Sequence, residues 1–183
     1  MSVVDDLTRL PTHDDGLCEE LRHSGPLACL VDVDGLIWVN DQHGHVVGDR
    51  ALATVAAELL QVVQPFGSVF RVGGDEFLVL LRDLDAKGVL DLAARIVTSI
   101  RALRIPYRRR DRPEATVLDV NVAIVRADHA FAKGAFYQHG LVGSARDWIG
   151  ERVYREKLRV GLGSGTVVDL SSAEDLPWAE AVD

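Results

Sequence analysis

Two acidic clusters are the residues whose types and spacing best suit chemistry. Asp32 and Asp34 close an apolar run, and Asp75 and Glu76 follow the pair Gly73-Gly74. A carboxylate is costly to bury without a partner. Two such clusters on neighbouring elements would make ligands for Mg2+, which takes oxygen donors and is often held by one or two carboxylates together with substrate phosphates. One or two such ions would activate a ribose hydroxyl and offset charge on a triphosphate, as in two-metal phosphoryl-transfer sites. Spacing alone leaves a plainer alternative open, because acidic strand ends and Gly-Asp turns are also ordinary loop chemistry.

Other polar residues carry weaker signals. Asn40 and Asp49 suit the cap of a loop and of a helix near residue 47. His43 and His45 flank Gly44 in a stretch that reads as a loop, and no third ligand has suitable spacing, so they read as structural or solvated. The basic stretch Arg108-Arg-Arg-Asp-Arg112 reads as a solvated loop in an acidic chain. Phe77 reads as core.

The elements that must position these residues follow from periodicity. Residues 27–34 form an apolar, β-branched run ending in acids, a buried strand. Over residues 47–63, Leu52, Val55, Ala56, Leu59, Leu60 and Val63 recur on one face of a helix. Residues 68–71 and 77–81 are short strands joined by the Gly-Gly turn, a hairpin in which paired glycines would supply positive φ. A second amphipathic helix spans 86–103, with Val89, Leu92, Ala93, Ile96, Val97, Ile100 and Leu103 inward. Thr12 or Asp14 could cap a helix reaching His23. Residues 104–113 read as a loop, 116–125 as a strand, 145–160 as a helix and 166–170 as a last strand, while 128–144 show no period. These alternations predict an α/β fold with a mixed central sheet flanked by helices, in one domain over 1–170 with an acidic tail over 171–183.

Composition sets bounds. The chain has 183 residues, 48% hydrophobic and 26% charged, enough for one sizeable core. A net charge of −8 argues against duplex nucleic acid as a partner, since such binders need a basic face. Cys18 and Cys29 have no zinc spacing and read as reduced thiols. The first residues lack a secretory pattern and no apolar run approaches the length of a membrane span, so no membrane contact and a cytoplasmic location are expected.

Three strings point further. Arg71-Val-Gly-Gly-Asp-Glu-Phe77 resembles the RxGGDEF signature of the diguanylate cyclase (GGDEF) family. The segment Asp32-Val-Asp-Gly-Leu-Ile-Trp-Val-Asn-Asp-Gln-His-Gly-His-Val-Val-Gly-Asp49 resembles the family's D-(I/V)-D-x-(F/L)-K-x-(I/V)-N-D-x-x-G-H-x-x-G-D. Asp6-Leu-Thr-Arg-Leu-Pro11 resembles its entry motif D-x-L-T-x-L-P. Motifs are hypotheses tested by context, and three in order are far more specific than one.

The resemblance implies a fold like the palm of nucleotide polymerases and class III nucleotidyl cyclases. It implies that Asp32, Asp75 and the Val33 carbonyl hold Mg2+ or Mn2+, and that Glu76 assists there, making Asp32, Asp75 and Glu76 the catalytic set. Backbone N–H groups of Gly35, Leu36 and Ile37 would cradle phosphates. Asn40 and Asp49 would read guanine, and Lys157 would grip the triphosphate. The implied substrate is GTP, the implied product cyclic di-GMP, and the implied assembly a homodimer in which two domains face each other.

The sequence departs from the family at four places. Ile37 stands where a lysine is usual. Asn121-Val-Ala123 replaces S-x-G on a later strand, which would reshape the pocket. After Lys157 the G-R-N of the last helix is missing, with Arg155 and Arg159 as possible substitutes. The inhibitory R-x-x-D falls on Gln64-Pro-Phe-Gly67. These departures keep two alternatives open beside the cyclase: a GTP-binding regulatory module without turnover, and altered chemistry on GTP such as cyclic GMP formation.

Overall fold

The computed structural model describes residues 4–12, 20, 23–109, 115–126, 165 and 167–169. Strand β1 (Leu27–Asp34) leads into helix α1 (Leu36–His43) and helix α2 (His45–Val63). The chain returns through β2 (Gly67–Arg71) and β3 (Glu76–Leu81), then helix α3 (Ala86–Ala102). A small hairpin, β4 (Pro106–Arg108) and β5 (Ala115–Val117), precedes β6 (Asp119–Arg126), and β7 (Val167–Asp169) is the last described strand. The five strands lie in the order β2-β3-β1-β6-β7, and β4-β5 form their own pair. Among the described strands of the large sheet only β6–β7 is parallel, and the other neighbours are antiparallel. The result is the mixed sheet flanked by helices that the alternation of patterns predicts.

Side chains alternate across a sheet. Cys29, Val31 and Val33 of β1 therefore share a face with Phe77, Val79 and Leu81 of β3, and that face carries the main core under α2 and α3. Burial pushes the Cys29 thiol up to about 12, aided by the charge of Asp169, as expected of a small buried hydrophobe. The inward residues of α3 are those the period predicts, except that Leu103 lies past the helix end and is only partly buried. On α2, Leu60 is exposed rather than inward, and Ala51 and Val62 are buried. Asp119 fastens α3 to the sheet: its buried carboxylate accepts from Arg101 Nε at 2.8 Å and Nη2 at 2.6 Å, and from the Val120 N–H at 2.9 Å.

Three local expectations are corrected. The stretch holding His43 and Gly44 is no loop: α1 ends on His43, and α2 begins on His45. Residues 104–113 contain a strand, β4, and the expected strand over 116–125 is broken at Leu118 into β5 and β6. The Gly73-Gly74 turn forms as predicted, yet neither glycine has positive φ. A Cβ at Gly73 would instead displace the Glu76 carboxylate, since it would lie 2.1 Å from Oε2. The helix expected over 145–160, the aperiodic 128–144 and the tail over 171–183 lie outside the described residues.

Candidate active site

The two acidic clusters meet at one end of the sheet. In the β1–β3 register Asp32 stands opposite Glu76, and in the β1–β6 register it stands opposite Asn121. Residues directly opposite in a ladder share a face, with Cβ atoms ~4.5–5.5 Å apart. Glu76, Asp32 and Asn121 therefore form one polar row across three strands. The residue flagged in the sequence as a departure on a nearby strand is the direct neighbour of a site aspartate. Just beyond the row, the Val33 N–H donates to the Asp75 carbonyl at 3.0 Å, joining the signature turn to the end of β1.

The donor set fits a hard divalent cation. The N–H and C=O of one strand residue point to the same side, so the Val33 carbonyl also faces the Asp75 turn. Among the described residues no backbone N–H returns to it. An open carbonyl between Asp32 and Asp75 is an oxygen ligand of the kind Mg2+ or Mn2+ takes. Among the described residues no group of three His, Cys, Asp or Glu side chains is drawn together tightly enough to hold a metal on side chains alone.

Helix α1 starts abruptly after β1 because Gly35 adopts φ 98°, a turn that other residues enter only with strain. The Gly35 carbonyl accepts from Trp38 and Val39 N–H groups at 3.0 and 3.2 Å. Gly35, Leu36 and Ile37 thus stand at the start of a helix with no side-chain cap, where N–H groups lack i−4 acceptors. Ile37 is 66% exposed, an apolar side chain beside those donors.

Asn40 lies inside α1 and Asp49 inside α2, and both helices are capped by glycines. Neither residue is a cap. The Asn40 Oδ1 sits against Gly48, next in sequence to Asp49, where the two helices meet. Asp49 is exposed, as are His43 and His45 at the helix ends. Lys157, Arg155 and Arg159 lie outside the described residues.

Sequence reasoning missed two supports. The first is Arg71, quoted within the signature without a role. Its guanidinium donates to the Gly73 carbonyl at 3.1 Å, the Gly74 carbonyl at 2.7 Å and Asp5 Oδ1 at 2.8 Å. Asp5 also accepts from the Thr8 N–H and hydroxyl at 2.7 and 2.6 Å. Burial works to raise the Asp5 carboxyl, but these bonds from Thr8 and Arg71 outweigh it and lower it to about 2. The aspartate of the entry motif is thus Asp5. Asp6 is fully exposed, with a 3.8 Å contact to Arg9. A one-residue shift in matching D-x-L-T to Asp5-Asp-Leu-Thr8 would have found it.

The second support is the hairpin β4–β5, which is docked rather than solvated. The Tyr107 ring lies against Gly35, so close that a Cβ there would fall 2.5 Å from it. Burial and then the charge of Asp34 raise the Tyr107 hydroxyl pKa. Gln42 Nε2 donates to the Arg108 carbonyl, and the Arg108 N–H donates back to Gln42 Oε1 at 3.0 Å. The Arg109 guanidinium lies 5.9 Å from the centre of the Trp38 ring. Part of the basic stretch thus braces α1.

Comparison with known proteins agrees with this geometry. The family described as "Diguanylate cyclase, GGDEF domain" matches residues 2–139. The chain is 36% identical over 87 residues to the diguanylate cyclase DgcZ of Escherichia coli, covering 44% of this chain and 29% of DgcZ. It is 37% identical over 78 residues to the cyclic di-GMP phosphodiesterase PdeR of the same organism, covering 43% of this chain and 11% of PdeR. The chain thus spans less than a third of either relative's length. Among solved structures, the diguanylate cyclase SiaD of Pseudomonas aeruginosa, in complex with its activator SiaC, superposes with a TM-score of 0.64. It is 25% identical, over 92% of this chain and 62% of SiaD. With motifs, sheet order and family match in agreement, the chain belongs to the GGDEF (diguanylate cyclase) domain family.

Proposed function

We propose that this domain is a metal-dependent guanine-nucleotide cyclase that condenses two molecules of GTP into cyclic di-GMP, releasing pyrophosphate from each. The observation that carries the proposal is the bond from the Val33 N–H to the Asp75 carbonyl at 3.0 Å, with Asp32 opposite Glu76 in register. It sets both acidic clusters beside the open start of α1.

In this reading Asp32, Asp75 and the Val33 carbonyl would hold Mg2+ or Mn2+. When bound, such an ion supplies charge stabilisation to the transferring phosphoryl group and lowers the pKa of a bound hydroxyl. Glu76 stands in the same row to accept the proton of the attacking 3′-hydroxyl. The N–H groups of Gly35, Leu36 and Ile37 orient the β- and γ-phosphates at a helix start. Asn40 and Asp49 read the base, a carboxylate accepting from the ring N–H and exocyclic amine that guanine presents. Lys157 adds a cation to the triphosphate. Each domain holds one GTP, so two domains must meet about a two-fold axis, and proximity in that dimer does much of the catalytic work.

A second reading is a GTP-binding regulatory module without turnover. Exposed Ile37, where the family carries lysine, favours it, because one cation near the phosphates is replaced by an apolar side chain.

The test is mass spectrometry of products after incubating the purified protein with GTP and Mg2+, with Asp75→Ala alongside. The expected result is cyclic di-GMP, reduced roughly 100-fold or more in the variant. Cyclic GMP would mean altered chemistry on the same site. Intact GTP, with binding retained, would establish the regulatory module.

A further inference from the structure

Gly48 has no backbone reason to be glycine. It lies within α2, its N–H donates to the Gly44 carbonyl at 3.2 Å, and its φ is not positive. A helix interior favours alanine over glycine at such a position. The reason lies across the helix junction. A Cβ at residue 48 would fall 1.7 Å from Asn40 Oδ1 and 2.8 Å from Asn40 Cγ. No contact that short survives, and because Cγ is involved the whole amide would have to swing away. The bare Cα of Gly48 is thus the notch into which the Asn40 side chain folds.

A second observation concerns the atom in that notch. Asn40 Oδ1 is buried and has no hydrogen-bond partner among the described residues. A buried acceptor without a donor is destabilising, and native proteins leave few of them. With no donor of its own in the fold, it is an acceptor that a ligand N–H could satisfy. The N1–H and N2 amine of guanine are such donors, whereas adenine presents a ring acceptor where guanine presents N1–H.

We propose that Gly48 is a specificity-determining position: by lacking a side chain it seats the Asn40 amide beside Asp49, and so sets the preference for guanine over adenine. Gly48 is a positioning residue that acts through Asn40. The proposal rests on the guanine reading given above.

The test is a double-mutant cycle on the full chain, read by calorimetric binding in Mg2+. The probes are 3′-deoxy-GTP and 3′-deoxy-ATP, which lack the hydroxyl that would be consumed. Wild type, Asn40→Ala, Gly48→Ala and the double variant are compared, with Tm measured for each. Wild type is expected to prefer the guanine analogue. Each single variant is expected to lose at least about tenfold of that preference, and the double variant no more than Asn40→Ala alone. The Tm of Gly48→Ala is expected at or above wild type, which a merely structural glycine would not give. A preference intact in Gly48→Ala, losses that add in the double variant, or a fall in Tm that persists without Asn40 would each overturn the inference and leave the guanine reading standing. A wild type that does not prefer guanine would overturn both.

Discussion

Helices α1 and α3 begin in opposite ways. Helix α3 starts on Asp85 in extended conformation, and its carboxylate accepts the Gly88 N–H at 2.7 Å. Helix α1 starts on Gly35 with φ 98° and has no side-chain cap and no acidic residue in its first turn. The Gly88 donor at the α3 start is satisfied by the cap side chain, and α3 serves the core through Val89, Leu92, Ala93, Ile96, Val97 and Ile100. Among the described residues the Leu36 and Ile37 N–H groups at the α1 start have no backbone acceptor, and α1 buries only Val39 fully. A short helix that gains little from its own apolar face must be held from outside, and the hairpin β4–β5 does this through Tyr107, Arg108 and Arg109. One helix start is built for stability and the other for availability.

The largest effect should come from breaking the α1 start. Gly35→Ala forces a side chain into a left-handed conformation, at about 1–3 kcal/mol. It also drives a Cβ to within 2.5 Å of the buried Tyr107 ring, and overpacking of that kind adds about 1–3 kcal/mol. Chemical denaturation should show the sum as a lower midpoint at constant m. Calorimetry should show triphosphate affinity falling with it, because the same atoms position the N–H groups. Unchanged affinity in a destabilised Gly35→Ala would mean that the start of α1 is not where the phosphates sit.

The matching change in α3 should be smaller and of one kind. Asp85→Ala removes a cap and should cost about 1 kcal/mol in denaturation experiments. Nucleotide affinity should not move, since α3 packs beneath the sheet and contributes no candidate site residue. A loss of affinity comparable to that of Gly35→Ala would erase the distinction between the two helix starts.

The same contrast explains what the sequence could disclose. Helices α2 and α3 are long enough for a 3.6-residue period to show, and β1 and β3 are apolar enough to read as buried strands. Helix α1 has only eight residues, and its cap is a backbone conformation of Gly35 rather than a capping side chain. No period is visible over two turns. The three-residue strands β4 and β5 are shorter still, and the arginines around them mask one buried tyrosine. The acidic clusters were legible because their residue types are chemically distinctive. Their contact across Asp32, Glu76 and Asn121 depends on strand register, which local spacing does not carry. The Arg71–Asp5 pair joins residues 66 positions apart, and no pattern within either segment reveals it.

The smallest effect should sharpen the comparison most, because it separates stability from binding in sign. Ile37 is 66% exposed in the first turn of α1, so a charge there stays solvated and costs the core nothing. Ile37→Glu gives α1 the acidic first turn it lacks, and favourable interaction with the helix dipole should add about 0.3–1 kcal/mol of stability. The same charge would repel a triphosphate, so affinity should fall as stability rises. Ile37→Lys should do the reverse: a slightly less stable helix start and tighter triphosphate binding, with the gain shrinking as salt is raised through the range where the Debye length falls below ~8 Å. Denaturation midpoints and calorimetric affinities for the pair, at two salt concentrations, read both effects. If both variants move affinity in the same direction, the side chain acts by bulk rather than charge, and the start of α1 loses its claim to be an anion site.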